Sequence, residues 1–143
     1  MTPLARQLTQ LLENDQFKTS HGLGFFSMPY KRPWVQSEWH SFKIGTVYGL
    51  YQFQEKQFRI LAIKNDNKNN GHLEDMLEWF YCSCIRYGTP LVIMDVINPR
   101  FEKHLKTKRG FMKIEGTDHY IKEPASMEAE FKLKLDKKVL CKN

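Results

Sequence analysis

The apolar positions along this chain switch between a helical and an extended period, and the switches mark out its elements. Leu4, Leu8, Leu11 and Leu12 recur at helical spacing behind Thr2-Pro3, a hydroxyl cap followed by proline at the first helical position. Residues 43–53 alternate and read as one strand, Gln54-Glu55-Lys56 as a turn, and 58–64 as the antiparallel partner. A polar loop ending Asn69-Asn70-Gly71-His72 follows. Leu73, Met76, Leu77, Phe80, Cys84 and Tyr87 then fall on one stripe of a helix over 73–87. Glu74, Asp75 and Glu78 near its start, Arg86 near its end and Gly88 beyond agree with the helix dipole and a glycine cap. Residues 90–97 are apolar without alternation, the pattern of a strand covered on both faces, and Asp95 interrupts them as a carboxylate whose burial would raise its pKa. Asn98-Pro99 opens a short helix carrying Phe101 and Leu105 inward and ending in a basic cluster before Gly110. Residues 111–115 and 119–122 form a closing hairpin.

Residues 17–42 have no clean period and hold seven aromatics broken by glycines and prolines, with a short strand expected at 23–28. The pattern as a whole predicts one α/β (α+β) domain over 1–143. Its central sheet is mixed and flanked by helices, with strands 58–64 and 90–97 parallel and splayed apart. The helix between them is the right length for a right-handed crossover.

Composition narrows the class. Hydrophobic residues make up 41% and charged residues 27%, a globular balance rather than a disordered one. No apolar run approaches the ~18–20 residues that span a bilayer, and no basic-then-apolar leader opens the chain, so a cytoplasmic location without membrane association is expected. Three cysteines, two of them (Cys82, Cys84) on one expected helix, give no disulfide framework, and no metal-ligand spacing exists. The formal charge is +6, but residues 131–143 carry five lysines against Asp136 alone. Most of the excess therefore belongs to a basic C-terminal tail over 123–143, read as a solvated end.

A strand, a loop with unpaired amides and a helix start, with a second strand alongside, make an anion site opening onto a crevice. Taken with Asn98…Leu105-Lys106-Thr107-Lys108-Arg109-Gly110-Phe111, residues 43–122 resemble the GNAT superfamily of acyl-CoA N-acyltransferases, whose signature is Asn…Leu-Tyr-x-Lys-x-Gly-Phe. The resemblance implies acetyl-CoA as co-substrate, with its pyrophosphate on Asn69, Asn70, Gly71, His72 and Leu73. It implies the pantetheine arm between the splayed strands, and an amine acceptor whose identity the sequence leaves open.

The sequence departs from that pattern in two places. Gly71 is the only glycine of the loop, with Asn67, Asn69 and Asn70 before it, and Glu74 and Asp75 follow close behind. Lys106 stands where the family often has a tyrosine that protonates the leaving thiolate, which makes His104 and Lys106 the candidate catalytic residues. Two alternatives belong to other classes. One is a GNAT-like fold without catalysis that serves binding or assembly, as in some bacterial and phage proteins. The other is a small nucleic-acid-binding protein, suggested by the basic tail and by Pro29-Tyr30-Lys31-Arg32-Pro33-Trp34.

Overall fold

A computed structural model of the protein describes residues 2–24, 39–66 and 70–141, with side chains as far as Lys134. The elements are α1 (Pro3–Glu13), β1 (His40–Ile44), β2 (Val47–Gln54), β3 (Gln57–Asn65), α2 (His72–Tyr87), β4 (Leu91–Ile93), α3 (Pro99–Lys108), β5 (Met112–Lys113), β6 (Tyr120–Lys122) and α4 (Pro124–Cys141). The described residues thus form a mixed α/β fold of four helices and one open, mixed sheet, ordered β1-β2-β3-β4-β6-β5. Among the described residues, no helix is long and apolar enough to cross a membrane.

The expected strand over 43–53 is two strands. Gly45, at φ 57°, and Thr46 turn the chain back, so β1 and β2 pair as a hairpin with Ile44 opposite Val47. A side chain at Gly45 would put its Cβ 2.4 Å from Nδ1 of His72, so only glycine lets this turn approach the start of α2. β3 runs antiparallel to β2. Leu61 faces Leu50 and Lys64 faces Tyr48, so Ala62 and Ile63 together oppose Gly49. This is a β-bulge, and Ala62 sits at φ 57° within it.

β3 and β4 are adjacent and parallel, as the βαβ spacing predicts, with Phe58, Arg59 and Ile60 facing Leu91, Val92 and Ile93. The second strand is far shorter than the expected 90–97. Its pairing with β3 ends with a bond from Met94 N–H to the Ile60 carbonyl (2.8 Å). Asp95 then takes a left-handed conformation, φ 54°, which no strand can continue. Ile97 is 81% exposed, and Asp95 lies at the surface rather than inside the sheet.

α2 is buried almost all round, from Asp75 to Ile85. It lies over β1 to β4, and α1 and α4 pack against it. Phe80 meets the rings of Phe42 and Tyr51 edge-on, at 5.2 and 5.8 Å between centroids. Covering both sides leaves Asp75 and Glu78 buried, and each is satisfied by the N-terminal segment. The Asp75 carboxylate accepts from the Thr19 hydroxyl (2.6 Å) and from the amides of His21 (2.9 Å) and Leu23 (3.0 Å). Glu78 accepts from the amide and hydroxyl of Ser20. Such bonding is what a buried carboxylate needs to offset its lost hydration.

The basic tail expected over 123–143 is instead mostly helix α4. Met127 and Phe131, one turn apart, are buried in the core, and Phe131 stacks on Phe17 at 6.1 Å. Lys134 is drawn into ion pairs with Glu74 and Glu78 on α2. The composition looked like a solvated end because the lysines outnumber the few apolar positions that anchor this helix. Of the strand expected at 23–28, Leu23 and Gly24 are loop, and the rest lies outside the described residues, as does the aromatic-basic stretch 29–34.

Candidate functional site

Where β3 outruns β4, the surface opens into a groove. Its narrow part, a pocket of about 140 Å³, is lined by Ala62, Ile63, Ile93, Met94, Asp95, Val96, Ile97, Asn98 and Phe101. Ile63, Asn98 and Phe101 are shared with a wider cleft of about 470 Å³, whose other walls are Asn65, Gly71, Leu73, Glu74, Arg100, His104 and Arg109. A narrow, apolar arm therefore continues into a wider chamber whose wall also carries the charged groups of Arg100, Arg109 and Glu74. Two helix starts border that chamber: α2 through Gly71, Leu73 and Glu74, and α3 through Asn98, Arg100 and Phe101. Helix N-termini present amides and the positive end of the dipole, which favours an anion.

The α3 start is built as the sequence predicts. Asn98 Oδ1 accepts from the amides of Arg100 (2.9 Å) and Phe101 (3.3 Å), with Pro99 at the first helical position. The α2 start is more heavily occupied by the chain's own groups. Gly71 is left-handed at φ 81°, and the His21 ring lies against it so closely that a Cβ there would fall 2.2 Å from Nε2. Asn70 Oδ1 accepts from the His72 amide (3.1 Å), and Asn70 Nδ2 donates to Thr46 Oγ1 (2.9 Å). His72 Nδ1 accepts from the Thr46 amide (3.0 Å). His72 is thus a brace between loop and β-turn.

Of the residues assigned to a pyrophosphate, Gly71 and Leu73 line the cleft. Asn70 and His72 bond to Thr46 instead, and Asn69 lies outside the described residues. Glu74, which lines the cleft, is bonded by Lys134 and by His21 (3.2 Å). Burial pushes its pKa up, but these two partners outweigh burial and hold the carboxyl below its ordinary range.

The two catalytic candidates separate. His104 lines the cleft. Lys106, exposed on α3, pairs with Glu102 at 3.0 Å and lies over the Tyr120 ring, 5.7 Å from its centroid. The Glu102 bond raises its pKa further. His104 is half-buried, and Arg109 Nε donates to its Nε2 at 3.4 Å. Burial first, then the charges of Arg109 and Lys108, push His104 below its ordinary 6.5. It is therefore neutral at pH 7, with Nε2 accepting and the proton on Nδ1.

Arg109 is the cleft residue that the motif contained but sequence reasoning gave no role. It caps α3 with its side chain 13% exposed, and its Nη1 donates to Glu130 Oε1 on α4 at 2.9 Å. The same carboxylate takes Lys122, which is 3% exposed and also donates to the Tyr81 hydroxyl (3.2 Å) and to the Arg109 carbonyl. Arg109 is thereby held from both its guanidinium and its main chain. Burial lowers the Lys122 pKa, and Glu130 opposes that shift. Cys82 and Cys84 are buried free thiols, Cys82 pushed up to about 12 by burial, so neither is a thiolate nucleophile at neutral pH.

No protein-family model, curated protein or solved structure matches this chain.

Proposed function

We propose that the protein is an acyl-CoA-dependent N-acyltransferase of the GNAT type, transferring an acyl group, acetyl in the simplest case, to an amine. One observation carries this reading: the parallel β3–β4 pairing stops at Ile60, and the gap it leaves continues into a chamber bordered by two helix N-termini, Arg100 and Arg109. A long ligand with an amide-bearing arm and a polyanionic end fits such a groove. In this assignment the arm lies along Ala62 and Ile63, where the bulge interrupts the ladder and makes backbone groups available to pair with amides. Leu73, Arg100 and Arg109 hold the phosphates, and Gly71 allows their close approach.

Bound acyl-CoA supplies the activated thioester. A backbone N–H of the bulged strand takes the carbonyl oxygen as charge builds on it. The amine attacks the thioester carbonyl directly, since no activated nucleophile lines the groove among the described residues. The C–S bond breaks, the coenzyme leaves as its thiolate, and solvent takes the amine's proton and returns one to the sulfur. Neutral His104, its Nε2 already accepting from Arg109, serves as a hydrogen-bond donor through Nδ1 rather than as an acid at pH 7. Lys106 has no place in this scheme. Acetyl transfer to a panel of primary amines, followed as release of free thiol, tests it. Turnover with any acceptor supports the enzyme, and acetyl-CoA binding without turnover favours the next reading.

A second reading, a GNAT-like binding protein without catalysis, gains from the way Asn70 and His21 already fill the α2 start and from Glu74 in the cleft. The nucleic-acid reading loses one of its basic residues, because Lys134 is committed to Glu74 and Glu78.

A further inference from the structure

We infer that Asp95 selects the acyl acceptor, and that it selects a compound carrying a cationic group beside the amine that reacts, such as a diamine. This rests on the acyltransferase reading and adds the acceptor class to it. The groove separates its charges. Arg100 and Arg109 line only the wide cleft, where the Glu74 carboxylate is already paired with Lys134, whereas Asp95 lines only the narrow pocket and is the one ionisable residue among those lining it. A polyanionic donor is thus drawn to one end and a cation to the other.

The Asp95 backbone is fixed in an unusual conformation. Its φ is 54°, a left-handed angle that costs a non-glycine residue energy and persists only where its surroundings impose it. The surroundings are two bonds from the loop before β6: Asp95 N–H to His119 Nδ1 (3.0 Å) and Val96 N–H to the Asp118 carbonyl (2.8 Å). These bonds hold the residue at the end of β4, where the pocket begins.

The carboxylate itself has no donor among the described residues. The basic nitrogen recorded beside it is His119 Nδ1, 3.7 Å from Oδ1, but that nitrogen spends its lone pair on the Asp95 amide. The imidazole proton is then on Nε2, and Nδ1 offers the carboxylate no N–H. An anion fixed by its backbone, 63% exposed and unpaired beside an apolar pocket, is complementary to an ammonium on a short aliphatic chain. The second amine of such a chain, uncharged when it reacts, reaches the narrow pocket.

The test compares wild type, Asp95→Asn and Asp95→Glu with butane-1,4-diamine and with aniline, which is uncharged at neutral pH. Asp95→Asn is expected to raise KM for the diamine about three- to fivefold, the scale of an exposed ion pair, and to leave aniline unchanged. Asp95→Glu restores part of the loss, and acetyl-CoA affinity by titration calorimetry is the same in all three. Equal effects on both acceptors, or none on either, overturn the inference. If the wild type fails to bind acetyl-CoA, the acyltransferase reading falls separately. Asp95 is then read directly by titrating the diamine into labelled protein. Amide shifts at Val96 and Ile97 that vanish in Asp95→Asn uphold the cation site, and their absence from the wild type refutes it.

Discussion

Arg109 and His104 share a hydrogen bond on the wall of the cleft, from Nε of the arginine to Nε2 of the histidine at 3.4 Å. The bond ties one of the cleft's two arginines to its histidine. It also fixes the His104 tautomer, because a proton on Nε2 would face a guanidinium.

The first prediction follows from that geometry. Burial, Arg109 and Lys108 together place His104 below 6.5. In the window between its lowered folded value and 6.5, the unfolded chain binds a proton that the folded chain rejects. Stability therefore rises with pH across that window and reaches its full value above 6.5. An NMR titration of the His104 ring should give a midpoint under 6.5, and Lys108→Gln should move it upward. A midpoint above 6.5 would contradict the arrangement. His104→Gln should remove this part of the pH dependence.

Glu130 binds two cations, Lys122 and Arg109, and only one of them is deeply buried. Removing the carboxylate strands a charge at Lys122, so Glu130→Ala should cost about 3 kcal/mol, the scale for breaking a buried pair from one side. Lys122→Met should cost less, because Arg109 still holds Glu130. The double variant should recover a large part of the Glu130→Ala loss, and urea denaturation of the four proteins measures the coupling.

Much of the fold was legible because local rules and tertiary packing agree. The Thr2-Pro3 and Asn98-Pro99 caps, the Gly88 stop and the 73–87 period all name their helices, and the βαβ spacing names the parallel pair. The failures lie where a distant partner decides. Gly45 reads as a small residue within an alternating strand, but His72, far along the chain, requires a turn there. Asp95 leaves its strand because His119 and Asp118 hold the backbone. The solvated tail is a helix because Met127 and Phe131 find the core.

The candidate site was half legible for the same reason. Gly71, Leu73 and His104 line one cleft, while Lys106 turns to Glu102 and Tyr120. Arg109 was visible only as one of a basic cluster, since its value depends on Glu130 and His104 holding it in place.

Gly71 is constrained by the fold as well as by any ligand, because a Cβ there would meet the His21 ring at 2.2 Å and φ is 81°. Gly71→Ala should destabilise the protein through both effects. In a His21→Ala background the collision is gone, and the remaining cost should approach the ~1 kcal/mol of a left-handed non-glycine residue. Thermal denaturation of the four combinations separates the two. Equal costs in both backgrounds would contradict the contact between His21 and Gly71.

The central claim is that one groove holds an acyl-CoA from the end of the β3–β4 pairing to Arg109, and an NMR titration of labelled protein with acetyl-CoA tests it most directly. The account predicts saturable amide shifts at Ala62 and Ile63 along the narrow part and at Leu73, Arg100 and Arg109 around the chamber. Arg100→Gln should weaken them without changing the fold. No shift at millimolar acetyl-CoA, or shifts confined to residues outside the groove, would contradict it.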